Sequence, residues 1–316
     1  MADMRYRRLG TSGLVVSVVG LGCNSFGRKL DADGSRAMVD AAIEHGINFF
    51  DTADIYGNPH GASEELVGAA LKGRRDDVVV ATKFGMDMAG ANGTDWGALG
   101  SRRYILRAVE ASLRRLGTDY LDLYQMHTPD RETPIEETLS TLDGLVRAGK
   151  VRYLGNSNFA GWQIADAAWT ATTAHLAPFV SAQNQYSLLS RDIEAEVIPA
   201  CRRYGLGMLP FFPLASGLLT GKYRRGEAPP PGSRLAAQRY ADRLVTAPWD
   251  KVEALDAFAS SRGLSLLDVA IGWLAARPAV ASVIAGATTP EQVAANVAAA
   301  RWEPGPEDLA ELDAIR

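Results

Sequence analysis

The stretch Phe49-Phe50-Asp51-Thr52-Ala53-Asp54-Ile55-Tyr56-Gly57 sets two carboxylates and a phenol within six positions, directly behind a pair of aromatics. A phenol near a carboxylate suggests proton transfer, provided a cation makes the phenol more acidic. Tyrosine has a reference pKa of about 10, too high for easy exchange at neutral pH. An ammonium about 4 Å away contributes on the order of 4 kcal/mol at an effective dielectric of roughly 20, or up to about three pKa units before other effects oppose it. Lys83 is the candidate cation, with Asp51 holding it charged and in place. A neutral His127 can hydrogen-bond a substrate oxygen and fix its orientation. The chain shows no metal-ligand spacing and no activated serine or cysteine, so the acid is expected to protonate an oxygen that is gaining charge. Asp54 has no partner in this scheme and is expected to shape the turn.

These residues lie far apart in the chain, and a regular alternation of elements accounts for their meeting. The predicted strands are Val18 to Leu21, Ile47 to Phe50, Asp77 to Thr82, Tyr120 to Met126, Val151 to Gly155, Phe179 to Ala182, Leu206 to Phe212 and Ala281 to Ala285. Helical spacing is read over Ser35 to His45, Ser63 to Leu71, Tyr104 to Leu116, Pro134 to Ala148, Trp162 to Thr172, Ile193 to Tyr204, Trp249 to Ser261, Ser265 to Ala276 and Pro290 to Ala300. About eight strand-then-helix units without a composition break predict an α/β fold, a (β/α)8 TIM barrel forming one domain over residues 1–316, with an open doubly wound sheet as the alternative. Tyr6 to Val16, turning at Gly10-Thr11-Ser12-Gly13, reads as an N-terminal β-hairpin able to plug the barrel floor. In such a barrel every strand ends on one rim, and there the sequence has Asp51, Lys83, His127, Asn156 to Asn158, Gln183 and Phe211.

A cofactor handle follows the last strand. Gly286-Ala287-Thr288-Thr289-Pro290-Glu291-Gln292 joins a glycine and two hydroxyls to a helix N-terminus, an arrangement ready for a phosphate or for an ordinary N-cap by Thr288 or Thr289. Lys222, Arg225 and Arg234, on the polar segment from Lys222 to Pro248, can cover such a phosphate. Gly20-Leu21-Gly22-Cys23-Asn24-Ser25 looks like a degraded dinucleotide fingerprint, yet it lacks the third glycine and the following helix.

At 316 residues, 47% hydrophobic and 22% charged, the chain has the composition of a globular protein, and its net charge of −4 gives no reason to expect nucleic acid. Cys23 and Cys201 form no cluster and read as free thiols in a reducing compartment. The arginine-rich start from Met1 to Gly10 has no signal-peptide core, and Asp268, Arg277 and Pro278 interrupt the most apolar late region, so a cytoplasmic location off the membrane is expected.

With Asp51, Tyr56, Lys83 and His127 in that order, the chain resembles the aldo-keto reductase superfamily. The resemblance runs from Gly20-Leu-Gly through Phe50-Asp-Thr-Ala-Asp-Ile-Tyr-Gly, Leu121-Asp-Leu-Tyr-Gln-Met-His, Gly155-Asn-Ser-Asn, Gln183-Asn-Gln-Tyr-Ser and Pro213-Leu-Ala-Ser-Gly-Leu-Leu-Thr-Gly-Lys-Tyr to Gly286-Ala-Thr-Thr-Pro-Glu-Gln. It implies a barrel that binds NADPH (NADP) in extended form and reduces aldehyde or ketone carbonyls to alcohols, with Tyr56 as general acid. It further implies that Ser157, Asn158 and Gln183 hold the nicotinamide carboxamide and that Phe211 stacks on the ring. Phe212, Pro213, Leu214, Ala215, Ser216 and Gly217, with Lys222 and Arg234, would line the pyrophosphate. Gly286, Thr288, Gln292 and Asn296 would meet the adenosine 2′-phosphate and adenine, and Gly22, Asn24 and Asp51 complete the cofactor-binding set.

Two departures bear on phosphate selectivity. The lysine-serine…arginine pattern of the mammalian aldose-reductase branch is absent, and Ala295 stands where related sequences often carry a glutamate. The motifs are nearest to a bacterial branch that also resembles potassium-channel β subunits, which makes a cofactor-binding regulatory subunit the alternative to an enzyme. Those subunits commonly have asparagine at the position of His127. The rim loop from Phe84 to Ser101, with Met86, Met88 and Trp96, mixes apolar groups with glycines and suits many small carbonyl compounds.

Overall fold

The computed structural model describes residues 4–94, 96–237 and 240–315. Residues 1–3 of the arginine-rich start, Asp95 of the rim loop, and Gln238 and Arg239 of the long polar segment lie outside the described residues. A hairpin of β1 (Tyr6–Arg8) and β2 (Val15–Ser17) comes first. The sheet strands are β3 (Val19–Gly22), β4 (Phe49–Asp51), β5 (Val79–Phe84), β6 (Leu121–Met126), β7 (Val151–Ser157), β8 (Phe179–Gln183), β9 (Gly207–Met208) and β10 (Val283–Gly286). Between and after them come α1 (Ala32–Glu44), α2 (Ala62–Ala70), α3 (Arg102–Leu116), α4 (Ile135–Arg147), α5 (Gly161–Thr173), α6 (Val197–Tyr204), α7 (Ala241–Val245), α8 (Trp249–Ser261), α9 (Leu266–Ala276), α10 (Pro290–Ala299) and α11 (Pro306–Ala314).

The eight strands pair in parallel in the order β10-β3-β4-β5-β6-β7-β8-β9. The two outer strands also meet. Met208 bridges in parallel to Val280, its N–H donates to Ala279 O at 2.8 Å, and Ala281 N and Ile284 N donate to Met208 O and Pro210 O at 2.9 and 3.0 Å. The sheet therefore closes, and the molecule is a (β/α)8 barrel. With no sheet edge left open, the strands can be buried on both faces.

Strand alternation sorts the apolar residues between two cores. Phe49, Val79, Ala81, Leu123, Leu209, Ala281 and Ile284 fill the barrel, where Leu9 and Val16 of the hairpin join them. The hairpin thus plugs the floor, and Gly10 makes the fit possible: a Cβ there would lie 2.2 Å from Gly205 O. Phe50, one residue on, belongs to the larger core between strands and helices. Both phenylalanines are wholly buried.

Local signals set the helix ends. Ser101 caps α3 by accepting from Tyr104 N, and Gly117 ends it in the left-handed region. Asp31 caps α1 by accepting from Gly34 N at 2.9 Å, so this helix starts earlier than apolar spacing alone predicts. The helix predicted from Ile193 begins only at Val197, because Glu194 is drawn into bonds with Tyr186 and Arg191 and residues 192–194 form a 3-10 turn. The strand predicted over Leu206 to Phe212 pairs regularly only at Gly207–Met208, since Pro210 and Pro213 bring no N–H to a ladder.

Candidate active site

The turn after β4, the last residues of β5 and β6, and the loop after β6 bring the predicted catalytic groups together on the C-terminal rim. Lys83, on β5, is fully buried. Its Nζ donates to Asp51 Oδ2 at 2.7 Å and to Thr52 O at 2.8 Å, and it lies 5.0 Å from the centroid of the Tyr56 ring. The Tyr56 and His127 rings meet edge to face at 5.8 Å and 82°. Gly57 follows Tyr56 at φ 102°, and a Cβ there would come within 2.7 Å of Ala62 Cβ. The glycine lets the turn fold onto α2, which fixes the tyrosine.

The electrostatics follow from crowding. Burial alone would push the Lys83 ammonium down, but Asp51 and Tyr56 beside it carry it above its ordinary value. Desolvation raises the Tyr56 phenol, and Lys83 offsets only part of that rise. The expectation that the lysine would leave the phenol more acidic than usual is therefore reversed: removal of water from the partly exposed tyrosine wins over the ammonium. Burial, with Lys83 in support, depresses His127 to about 3, so this imidazole is neutral over the whole working range of pH.

Gln183, expected at a nicotinamide, donates through Nε2 to Asp51 Oδ1 at 2.8 Å. Gln125 donates to the same oxygen at 3.2 Å. Gln125 went unread in the sequence, although an amide inside the run Leu121-Asp122-Leu123-Tyr124-Gln125-Met126 was a signal that this strand faces something polar. Ser157 ends β7 fully buried, and Asn158 follows at φ 60° with its amide donating to His127 O at 2.9 Å and to Ser157 Oγ at 3.1 Å. Gly22 lies beside Gly286 in the β3–β10 register, with the half-buried Asn24 just above.

The segment 211–217 forms a second cluster. Phe211 and Phe212 pack edge to face at 5.2 Å, and Pro213 and Leu214 carry the chain into a turn where Ala215, Ser216 and Gly217 have φ of 46°, 62° and 103°. The turn is closed by its own backbone, Ala215 N donating to Phe212 O at 2.9 Å and Gly217 N to Leu214 O at 2.7 Å. Cations from the long polar segment fold back on it: Lys222 Nζ would lie 3.5 Å from a Cβ at Gly217, the Arg234 guanidinium sits 5.8 Å above the Phe212 ring, and Arg243 donates to Ser216 Oγ at 3.0 Å. Arg243 had not been singled out. Arg225 turns the other way, paired with Asp250 and Glu253 of α8, and is not among them.

At the last strand, Thr289 caps α10 by accepting from Gln292 N, while Gln292 Oε1 accepts from Thr288 N at 2.9 Å. Asn296 is buried one turn further on. Both clusters fit a dinucleotide's phosphates: one gathers three cations around a tight turn, the other is a helix N-terminus. Two open grooves elsewhere, of about 750 and 700 Å³, contain none of these residues. Among the described residues no group of three His, Cys, Asp or Glu side chains can hold a metal ion, and no helix is long and apolar enough to cross a membrane.

A closed (β/α)8 barrel whose rim joins a buried carboxylate–lysine pair to a phenol and a neutral imidazole defines the class. The chain belongs to the aldo/keto reductase family, whose model matches residues 18–316. Membership makes it an oxidoreductase of a family acting on small-molecule carbonyl compounds. It is 40% identical over 305 residues to a probable voltage-gated potassium channel subunit beta of Oryza sativa, covering 94% of this chain and 91% of the relative. It is 39% identical over 296 residues to the uncharacterized oxidoreductase YrpG of Bacillus subtilis, covering 92% and 89%. With L-glyceraldehyde 3-phosphate reductase of Escherichia coli K12 the identity is 34% over 309 residues, covering 94% and 88%.

Proposed function

We propose that the protein is a cytoplasmic, NADPH-dependent reductase of aldehyde or ketone carbonyls in which Tyr56 is the general acid. The observation that carries this reading is the buried Asp51–Lys83 pair beside Tyr56, with the neutral His127 ring edge-on to the phenol. The cofactor, when bound, supplies the hydride for the carbonyl carbon. Tyr56, kept protonated by burial, gives its proton to the carbonyl oxygen, and Lys83 stabilises the phenolate left behind. His127 orients that oxygen with a neutral N–H, which costs no charge transfer.

Ser157, Asn158 and Gln183 would meet the carboxamide, Phe211 the ring, residues 212–217 with Lys222, Arg234 and Arg243 the pyrophosphate, and Gly286, Thr288, Gln292 and Asn296 the adenosine end, with Gly22, Asn24 and Asp51 beside the path. The two buried, unpaired cysteines suit a reducing cytoplasm.

The test is Tyr56→Phe, assayed for NADPH oxidation over a panel of simple aldehydes and ketones with NADH in parallel. Loss of the acid should lower kcat by about 10²- to 10⁴-fold while cofactor affinity stays within about twofold. Near-normal turnover in the variant sinks the assignment of Tyr56. Wild-type protein that binds NADPH tightly but turns over no carbonyl points instead to a regulatory subunit.

A further inference from the structure

Asp54, expected only to shape a turn, heads a buried network that links the catalytic turn to the rim loop. Its side chain is wholly buried, and Oδ2 accepts from Asn92 Nδ2 at 2.9 Å. Asn92 lies in the loop between β5 and α3 and is 6% exposed. Its Oδ1 accepts from Arg115 Nη1 at 3.2 Å, and Arg115 Nε donates to Glu64 Oε2 at 2.6 Å. Glu64, also fully buried, takes the Thr82 hydroxyl at 2.6 Å, one residue before Lys83. The Asp54 backbone N–H donates to Lys83 O at 3.2 Å. A single side chain of the loop is thus held on both its polar atoms, by a group two residues from Tyr56 and by a helix behind the barrel.

The rest of the loop is poorly suited to hold its own shape. Ala89, Gly90, Gly93, Trp96 and Gly97 all have positive φ, and Trp96 is 73% exposed. Around Asn92 its ties to α3 are long, Arg107 to Thr94 O at 3.2 Å and the Tyr104 hydroxyl to Met86 O at 3.4 Å. Short bonds recur where the loop meets α3 and α4, at Gly100 N to Asp130 Oδ2, 2.7 Å, and Thr138 Oγ1 to Gly100 O, 2.8 Å. Met88, by contrast, is buried.

We propose that Asn92 is a positioning residue: clamped between Asp54 of the catalytic turn and Arg115 of α3, it holds the rim loop against the Tyr56 site and sets the size of carbonyl compound that reaches the acid. The size-selection part rests on the reductase reading, and the clamp itself does not. Asp54 faces Glu64 of α2, Arg115 and Tyr104 of α3, Tyr124 of β6 and Asn92. Burial, aided by Glu64, raises its carboxyl well above the usual range, and Oδ2 is the oxygen that accepts from Asn92 while Oδ1 makes no hydrogen bond. An amide at this position keeps an oxygen to accept from Asn92.

The experiment compares the full-length protein with Asn92→Ala and Asp54→Asn by amide hydrogen exchange, and by steady-state kinetics on propanal and benzaldehyde. Asn92→Ala should speed exchange of the loop amides by about tenfold, the loss of roughly one buried hydrogen bond, with no change elsewhere. It should shift the ratio of KM for benzaldehyde to KM for propanal by several-fold, with kcat within about twofold and NADPH affinity unchanged. Asp54→Asn should leave exchange as in the wild type. Unchanged loop exchange in Asn92→Ala overturns the clamp, as does a joint fall of kcat and cofactor affinity. If neither aldehyde drives NADPH oxidation by the wild type, the reductase reading falls while the exchange result still decides the clamp. Should Asn92→Ala not fold, Arg115→Lys, which keeps a charge for Glu64 but loses the guanidinium fork, is read in the same way.

Discussion

Gln183 Nε2 donates to Asp51 Oδ1 at 2.8 Å, while the other oxygen of that carboxylate takes the Lys83 ammonium at 2.7 Å. One carboxylate is therefore shared between the barrel wall assigned to the cofactor and the cation assigned to the acid. Removing its charge should disturb folding before it disturbs anything else. Asp51→Asn leaves Lys83 buried without a counter-ion, at a cost of about 3–5 kcal/mol. In that variant the folded-state pKa of Lys83 drops below the unfolded value. The loss should then be full near neutral pH and shrink as pH rises toward about 10. Urea midpoints of both proteins from pH 7 to pH 10 check this, and a small, pH-independent loss contradicts it.

His127 offers the opposite titration. Its imidazole is depressed to about 3 in the folded protein, against an ordinary value of 6.5. Between these values the unfolded chain takes up a proton that the folded protein refuses, so stability falls as pH drops through this window. His127→Gln should lose less stability than the wild type between pH 7 and pH 4.5. The same argument predicts no inflection from His127 in kcat/KM near pH 6.5. Titration of the assigned His127 imidazole there by NMR would refute both.

Arg243 makes its bond to Ser216 from α7, outside the barrel. Arg243→Ala should weaken NADPH binding by about 3- to 30-fold in fluorescence titrations, with a reduced dependence on salt. The kcat should not fall. An affinity equal to the wild type at low and high salt removes Arg243 from the phosphate cluster.

At the far end of the chain, Asp313 of α11 pairs with Arg277 and, at 2.9 Å, with Arg191, and both guanidiniums lie over the buried Trp273 ring, at 4.1 and 5.0 Å. The aspartate side chain is 39% exposed, so screening weakens each pair. Asp313→Ala should still cost about 1–2 kcal/mol, because two half-buried arginines lose one partner together. The urea midpoint reports the loss, and activity at 25 °C should be unchanged.

The barrel was legible because buried parallel strands leave plain apolar runs and each run ends in a group with chemistry: Asp51, Lys83, His127, Gln183. What stayed hidden depends on partners distant in sequence. No local pattern tells that Glu194 prefers Tyr186 and Arg191 to a helical start, or that Asp54 meets Asn92 and Arg115. The sign of the Tyr56 shift was misread for the same reason, since the lysine is visible in the sequence and the lost water is not. Helix α11 was open to reading: Gly305-Pro306 followed by Glu307 and Asp308 is a helix start, with Leu309 and Leu312 on one face.

The hairpin that plugs the floor has its partners at the other end of the chain. Thr11 N donates to Gly205 O at 2.9 Å and Arg7 Nη1 to Val280 O at 3.0 Å, while Leu9 packs with Leu209, Ala281 and Ile284. During synthesis the hairpin must therefore wait for segments made much later before it is covered. Until those segments arrive, Leu9 and Val16 stay open to wrong company, so the plug costs the folding chain a long-range closure.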